Sequence, residues 1–319
     1  MFRIACASLF AALIALLAPP AVAADVYPQK PIRLLIPFAP GGGTDVLARA
    51  VSDKLTQALG TSVVIDNRPG AAGTLGTALV TQAAPDGYTF LFTSASYTFN
   101  PNFYKTSYDP VKDLKPVTMF GSSPNLLVVH PSLPVKSVKE LLALARKRPG
   151  DINTAHAGRG SNIHLTTALF LHMAKIKVTM VPYKGGGPSQ IAVMSGESQM
   201  LIPSISSSLP FVKSGRLRAL GVTSKKRVPL LPDVPTIDES GVPGYVKTGW
   251  YALFAPAAVP EPIINRVYEA VSRVLKDPEI VRRLTADGTT PEGQPPREFA
   301  AFVHSEIAQW AKLIREMKL

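Results

Sequence analysis

Cysteine is almost absent from this chain. Among 319 residues there is one, Cys6, and it falls inside an apolar leader with the wrong residues before it for a lipoprotein site. The rest therefore has no thiol for a disulfide, for catalysis or for a thiolate metal site. The five histidines show no H-E-x-x-H or other ligand spacing, so neither a metal nor another cofactor is expected. Beyond the leader no apolar run is long enough to span a bilayer. Blocks of like charge are missing too. The formal charge is +12, but Lys and Arg are dispersed. A solvated basic surface, or steering of anionic ligands by the net field, is expected rather than nucleic-acid binding.

The leader itself is informative. Met1-Phe2-Arg3 is basic, Ile4 to Leu17 is an apolar run of about 14 residues, Pro19 and Pro20 break it, and Ala21 to Ala24 are small. Residues 1–24 are expected to be a signal peptide cleaved after Ala23 or Ala24. The remainder is expected to be exported to the periplasm as a monomer.

What the chain has is glycine loops between strands and helices. Ile32 to Ile36 reads as a strand, and Gly41-Gly42-Gly43 as a tight loop. Thr44 and Asp45 open an amphipathic helix. Glycine lets backbone approach a ligand closely. A helix start leaves N–H groups unpaired and carries positive partial charge, so the junction forms a main-chain anion site. The pattern recurs at Gly158-Arg159-Gly160-Ser161 before a helix from Ile163, and at Tyr183-Lys184-Gly185-Gly186-Gly187 before one from Ser189. Strands alternating with helices predict an α/β fold with parallel-rich sheets. Helices are expected over 262–275, 278–286 and 297–317, and a Pro-rich connection over 229–244. Two lobes follow: residues 25–122 with 223–319, and residues 123–222, with a cleft at the strand C-termini.

The alternatives to an anion pocket leave marks that are missing. The first loop lacks the G-x-G-x-x-G spacing of dinucleotide folds and the Gly-Lys-Ser/Thr of a P-loop. Ser161 and His164, three apart on one helix, suggest a hydrolase. However, the G-x-S-x-G elbow is absent and no acid completes a triad. Asp45 reads chiefly as a residue favoured by the helix dipole. Arg159 suits a second carboxylate by a bidentate pair.

Several stretches together resemble one family. They include Pro37-Phe38-Ala39-Pro40-Gly41-Gly42-Gly43-Thr44-Asp45, Asn67-Arg68-Pro69-Gly70-Ala71, Pro85-Asp86-Gly87-Tyr88, Val181-Pro182-Tyr183-Lys184-Gly185 and Gly249-Trp250-Tyr251-Ala252-Leu253-Phe254. Their order and content resemble the Bug-type periplasmic substrate-binding proteins of tripartite tricarboxylate transporters. The resemblance implies a two-lobed Venus-flytrap fold, two sheets flanked by helices around a central cleft. It implies a ligand carboxylate held between the first glycine loop and the Gly-Ser loop, partly through ordered waters. Many members carry an acidic residue where this chain has Pro203, which argues against an amino-acid ligand.

The expected ligand-binding set is Phe38, Gly42, Gly43, Thr44, Asp45, Ser94, Arg159, Gly160, Ser161, His164, Tyr183, Gly185 and Ser204. Tyr97 is a further candidate for the ligand body. The expected function is capture of a small carboxylate (a di- or tricarboxylate, or an aromatic or aliphatic acid) for the permease subunits of a membrane transporter, with no chemistry performed. A sensor presenting its ligand to a membrane kinase and an exported serine hydrolase are the alternatives.

Overall fold

The computed structural model describes residues 27–319. The leader, with its expected cleavage site, lies outside the described residues. The chain starts with β1 (Ile32–Ile36), α1 (Gly43–Leu59), β2 (Val63–Asn67), α2 (Thr74–Thr81), β3 (Thr89–Ser94), the short α3 (Ser96–Phe99) and β4 (Leu114–Pro124). It then crosses at Asn125 into a second layer system. This comprises β5 (Leu126–Val129), α4 (Val138–Lys147), β6 (Asn153–His156), α5 (Asn162–Ala174), β7 (Thr179–Pro182), α6 (Gly186–Met194), β8 (Met200–Leu201), α7 (Ile205–Lys213) and β9 (Arg218–Val222). It returns through β10 (Thr248–Pro256) and ends with α8 (Glu261–Lys276), α9 (Pro278–Ala286), β11 (Thr290–Pro291) and α10 (Pro296–Glu316).

Each sheet is mixed. The first has the order β11-β4-β10-β3-β1-β2. Here β1 runs parallel to β2 and β3, while β10 lies antiparallel between β3 and β4. The second has the order β7-β6-β8-β5-β9, with β6 parallel to β7 and β8, and β5 antiparallel to β8 and β9. The parallel halves are the strand–helix repeats seen in the sequence. The antiparallel halves come from the strands that cross between lobes, which enter each sheet from its far end.

Strand alternation builds a core on both faces of the first sheet. Leu34 and Ile36 pack with Leu47 and Val51 of α1 and with Ile264, Val267 and Val271 of α8. Leu35 faces the other way, into a cluster with Phe254 and with Phe299, Val303 and Trp310 of α10. The C-terminal helices thus cover the first sheet, α8 and α10 on opposite faces.

The Pro-rich connection behaves differently from expectation. Ile237, Val242 and Tyr245 join the core under α4 and α5, and Val228, Leu230, Leu231 and Val234 pack beside Ile205 and Leu209 of α7. Apolar residues spaced through this loop need cover, and the second sheet supplies it. We therefore place the second crossing at Lys247 and Thr248 instead of at residue 223. Asn125 and Lys247 are tied through one threonine. The Thr223 hydroxyl accepts from Asn125 N at 2.8 Å, and Lys247 N donates to the Thr223 carbonyl at 2.8 Å.

Local signals are obeyed closely. Ser137 caps α4, its hydroxyl accepting from Glu140 N at 3.2 Å. The Glu140 carboxylate accepts from Lys136 N, one residue before the expected partner of a capping box. The polar-aromatic stretch from Ser94 to Lys115 reads as irregular in the sequence; in the structure its ends belong to β3 and β4, and it contains α3 and a 3-10 turn at Asn100–Asn102.

Candidate functional site

The two lobes meet through glycine. A Cβ added at Gly42 would stand 3.4 Å from Gly186 Cα, and one at Gly41 would stand 3.5 Å from Gly187 Cα. Gln190 Nε2 reaches across to the Gly41 carbonyl at 3.3 Å. A Cβ at Gly41 or Gly42 would be in ordinary van der Waals contact, whereas one at Gly187 would be driven into the Pro40 carbonyl oxygen. The close fit demands glycine on the α6 side, and on the other side Gly41 is favoured by its φ of +83°.

Behind this seam lies a cavity of about 50 Å³, enough for a few water-sized groups. Phe38, Gly42, Gly43, Thr44, Ser94, Asn125, Ala157, Ser161, Asn162, Ile163, Gly186, Ser204, Ser207 and Tyr251 line it. No residue in that lining carries a charge. The cavity is instead surrounded by helix starts. Gly43 and Thr44 open α1, Asn162 and Ile163 open α5, Gly186 opens α6, and Ser204 caps the start of α7. The early N–H groups of each helix have no carbonyl partner within their own helix, and each N-terminus carries about half a positive charge. Four such termini aimed at one small space make it suited to an anion.

Of the thirteen expected site residues, Phe38, Gly42, Gly43, Thr44, Ser94, Ser161 and Ser204 line this cavity. Asp45 does not. Its buried carboxylate accepts from Gly41 N, Arg49 Nε and Asn67 Nδ2, each at 3.0 Å. Burial alone would raise its pKa, but these donors outweigh it and hold the group below the usual carboxylate range. Asp45 therefore shapes the first glycine loop and does not line this cavity.

Gly160 and His164 also lie outside the lining, because they bond to each other: Gly160 N donates to His164 Nδ1 at 3.3 Å. Ser161 caps α5 by accepting from the backbone N of His164 at 3.1 Å. The serine and histidine thus meet through the backbone. The imidazole takes no proton from the hydroxyl, and the arrangement needed by a Ser–His nucleophile is not formed. Gly185 caps α6 and lies against Ala39. Tyr97 is in the core, its hydroxyl donating to the Pro110 carbonyl.

Arg159 and Tyr183 stand in an adjoining cavity of about 330 Å³, with Tyr104 and Lys184. It shares Phe38 and Ala157 with the first. Arg159 is held over the Phe103 ring at 5.4 Å, and Tyr104 Oη donates to its carbonyl at 2.9 Å. The expected set lacks Ala157, Ile163 and Gly186 and the polar lining residues Asn125, Asn162, Ser207 and Tyr251. Tyr251 lies in a stretch that carried the family resemblance. Asn125 sits between two plain strands, and no local pattern marks it.

Burial, with His156 and Arg159 nearby, pushes the His164 pKa from 6.5 down to about 3; burial also lowers that of His156. Below pH 6.5 the unfolded chain takes up a proton that folded His164 refuses until about pH 3. Stability is thus fully present above pH 6.5 and falls as the pH drops, by up to about 1.4 kcal/mol per pH unit for each such histidine. Chemical denaturation from pH 7 to 4.5 should show this loss. His164→Gln, which keeps an acceptor for Gly160 N, should flatten it, and an unchanged slope would contradict the assignment.

Among the described residues no group of three His, Cys, Asp or Glu side chains is placed to hold a metal ion, and no helix is long and apolar enough to cross a membrane.

Comparison with known proteins agrees with the geometry. The family model described as "Tripartite tricarboxylate transporter family receptor" matches residues 47–319. Protein BugT of Bordetella pertussis is 37% identical over 298 residues, covering 92% of this chain and 91% of BugT. The structure of Rpa4515 from R. palustris with adipate superposes with a TM-score of 0.89 at 36% identity, covering 92% of this chain and 98% of that one. MatC from Rhodopseudomonas palustris with bound malate gives 0.84 at 33% identity, covering 90% and 100%. This is a family of solute-binding receptors and not of enzymes. With two mixed sheets flanked by helices, glycine loops at the seam and helix starts around the cavity, the chain belongs to the tripartite tricarboxylate transporter family of receptors, the Bug-type solute-binding proteins.

Proposed function

We propose that the protein captures a small carboxylate between its lobes in the periplasm and delivers it to the permease subunits of a tripartite tricarboxylate transporter. The observation that carries this reading is the uncharged cavity bounded by the starts of α1, α5, α6 and α7. An anion there gains from four helix dipoles at once in a partly sheltered space. Each is worth roughly 0.3–1 kcal/mol when exposed, and up to about 2 in partly buried geometry. Micromolar affinity needs about 8 kcal/mol in all, so contacts to the ligand body contribute as well. The adjoining cavity offers them. Arg159 and Lys184 line it, and they favour a ligand whose second acidic group extends past Phe38. The carboxylates bound by Rpa4515 and MatC support the same class.

A thermal-shift screen of mono-, di- and tricarboxylates beside their primary amides tests the reading. An acid at 100 times its dissociation constant should stabilise the fold by about 2.7 kcal/mol, and diacids should outrank monoacids. Equal shifts from acids and amides would contradict it.

A further inference from the structure

The crossing between the lobes has two sides. Successive residues of an extended segment point to opposite sides. Asn125 lines the small cavity described above, and its neighbour Pro124 lines a different one, of about 480 Å³. Pro124 pairs across the crossing with Thr248, which lines the larger cavity too. That cavity shares no residue with either of the two described above. It lies at the rear of the hinge, with the crossing strands between it and the small cavity.

Its walls belong to different lobes. Residues from 224–230 supply one and residues from 285–290 the other. The walls meet at one end, where a Cβ on Gly288 would stand 3.4 Å from Leu230 Cδ1. The volume falls within the range of about 300–1,000 Å³ common for small-molecule sites. Pro124, Val228, Pro229 and Leu230 give the lining an apolar surface, and the exposed Lys225 and Lys226 stand at it. No carboxylate lines this cavity. Arg227 is paired with Glu239 at 2.7 Å, but among the described residues no carboxylate pairs with either lysine.

An apolar body between these walls gains from burial, and an anionic end gains from two unpaired ammonium groups. A neutral ligand uses only the first and a hydrophilic anion only the second. We propose that the rear of the hinge is a second ligand site, taking a small apolar anion with an aromatic body and a sulfonate or carboxylate end, and that its occupant favours the closed lobes. The second part follows from the walls. The cavity has this shape while the glycine seam is shut, and lobe movement shifts one wall against the other. A ligand fitted to it binds the closed form better and draws the population towards that form. The site does not depend on the carboxylate reading given above, and its failure leaves that reading standing.

The test titrates the purified protein with anilinonaphthalene sulfonate, which fluoresces in apolar surroundings, and with its uncharged counterpart, phenylnaphthylamine. Lys225→Glu combined with Lys226→Glu should weaken the sulfonate by about 10-fold or more and leave the amine within about twofold. Thr248→Trp, at an exposed strand position, fills the cavity and should weaken both. Lys136→Glu combined with Lys139→Glu makes the same charge change at exposed positions outside the lining and should leave sulfonate binding as in the parent. Small-angle scattering should show the parent contracting on addition of the sulfonate. Absence of sulfonate binding overturns the site, as does binding that neither hinge substitution weakens, or an equal loss in the control pair. Equal loss of the amine when the two hinge lysines are replaced overturns the anion preference. Scattering unchanged by the bound sulfonate overturns the effect on closure.

Discussion

Gly187→Ala should weaken ligand binding by one to two orders of magnitude without touching the ligand. Gly187 lies in the first turn of α6, outside the cavity lining. A Cβ there would be driven into the carbonyl oxygen of Pro40 in the opposite lobe. Backbone cannot swing aside as a long side chain can, so relief comes from keeping the lobes apart. Overpacking of this kind costs about 1–3 kcal/mol, and the closed form alone bears it. The affinity falls with the population of the closed form. The unliganded variant should melt close to the parent, because in the open form the added methyl meets solvent. Small-angle scattering should show the parent contracting with ligand and the variant failing to contract. Parent-like affinity in Gly187→Ala would mean that this seam is not part of the bound state.

The second large effect is expected at Asp45. Asp45→Ala removes the acceptor shared by Gly41 N, Asn67 Nδ2 and Arg49 Nε. Gly41 has φ of +83°, a conformation natural to glycine, and the carboxylate is what pins that turn against α1. Gly41 and Arg49 are exposed and Asn67 is half-buried, so water meets the freed donors and the cost is that of the lost bonds to a charged acceptor, about 1 kcal/mol or somewhat more each. A loss of roughly 2–4 kcal/mol in stability is expected, together with a weaker ligand interaction because the helix start loses its fixed position. Asp45→Asn keeps one acceptor oxygen and should recover part of both. If Asp45→Ala lowered affinity with no loss of stability, Asp45 would be a direct ligand contact, as its place beside Thr44 first suggests.

That residue shows what sequence can and cannot convey. The glycine loops were legible because their signal is local: a strand, a turn and a helix start adjacent in the chain, repeated three times. The role of Asp45 as a helix-start residue was legible for the same reason. Its absence from the cavity lining was not, because that depends on Asn67, a neighbour brought up by β2. The histidine three residues after Ser161 suggested a contact between side chains. In the structure the cap uses the backbone N of His164, and the ring turns to Gly160.

Longer-range features were hidden in proportion to their distance. Nothing around 248–256 says that this strand enters the first sheet antiparallel between β3 and β4. Yet that insertion carries Tyr251 to the cavity. The prolines of 229–243 marked a connection but not which lobe covers its apolar residues. Asn125 is the extreme case. It becomes a cavity residue only because the chain crosses between lobes at that point and meets Ile202 and Thr223 from distant strands.

The most direct test of the central claim compares an acid with its own amide. Calorimetric titration of the best carboxylate from the screen, and then of its primary amide, holds size and shape nearly constant while removing the charge. Four helix starts around an uncharged cavity predict that the acid binds at least about 100-fold more tightly. Equal affinity for the two would contradict the anion site.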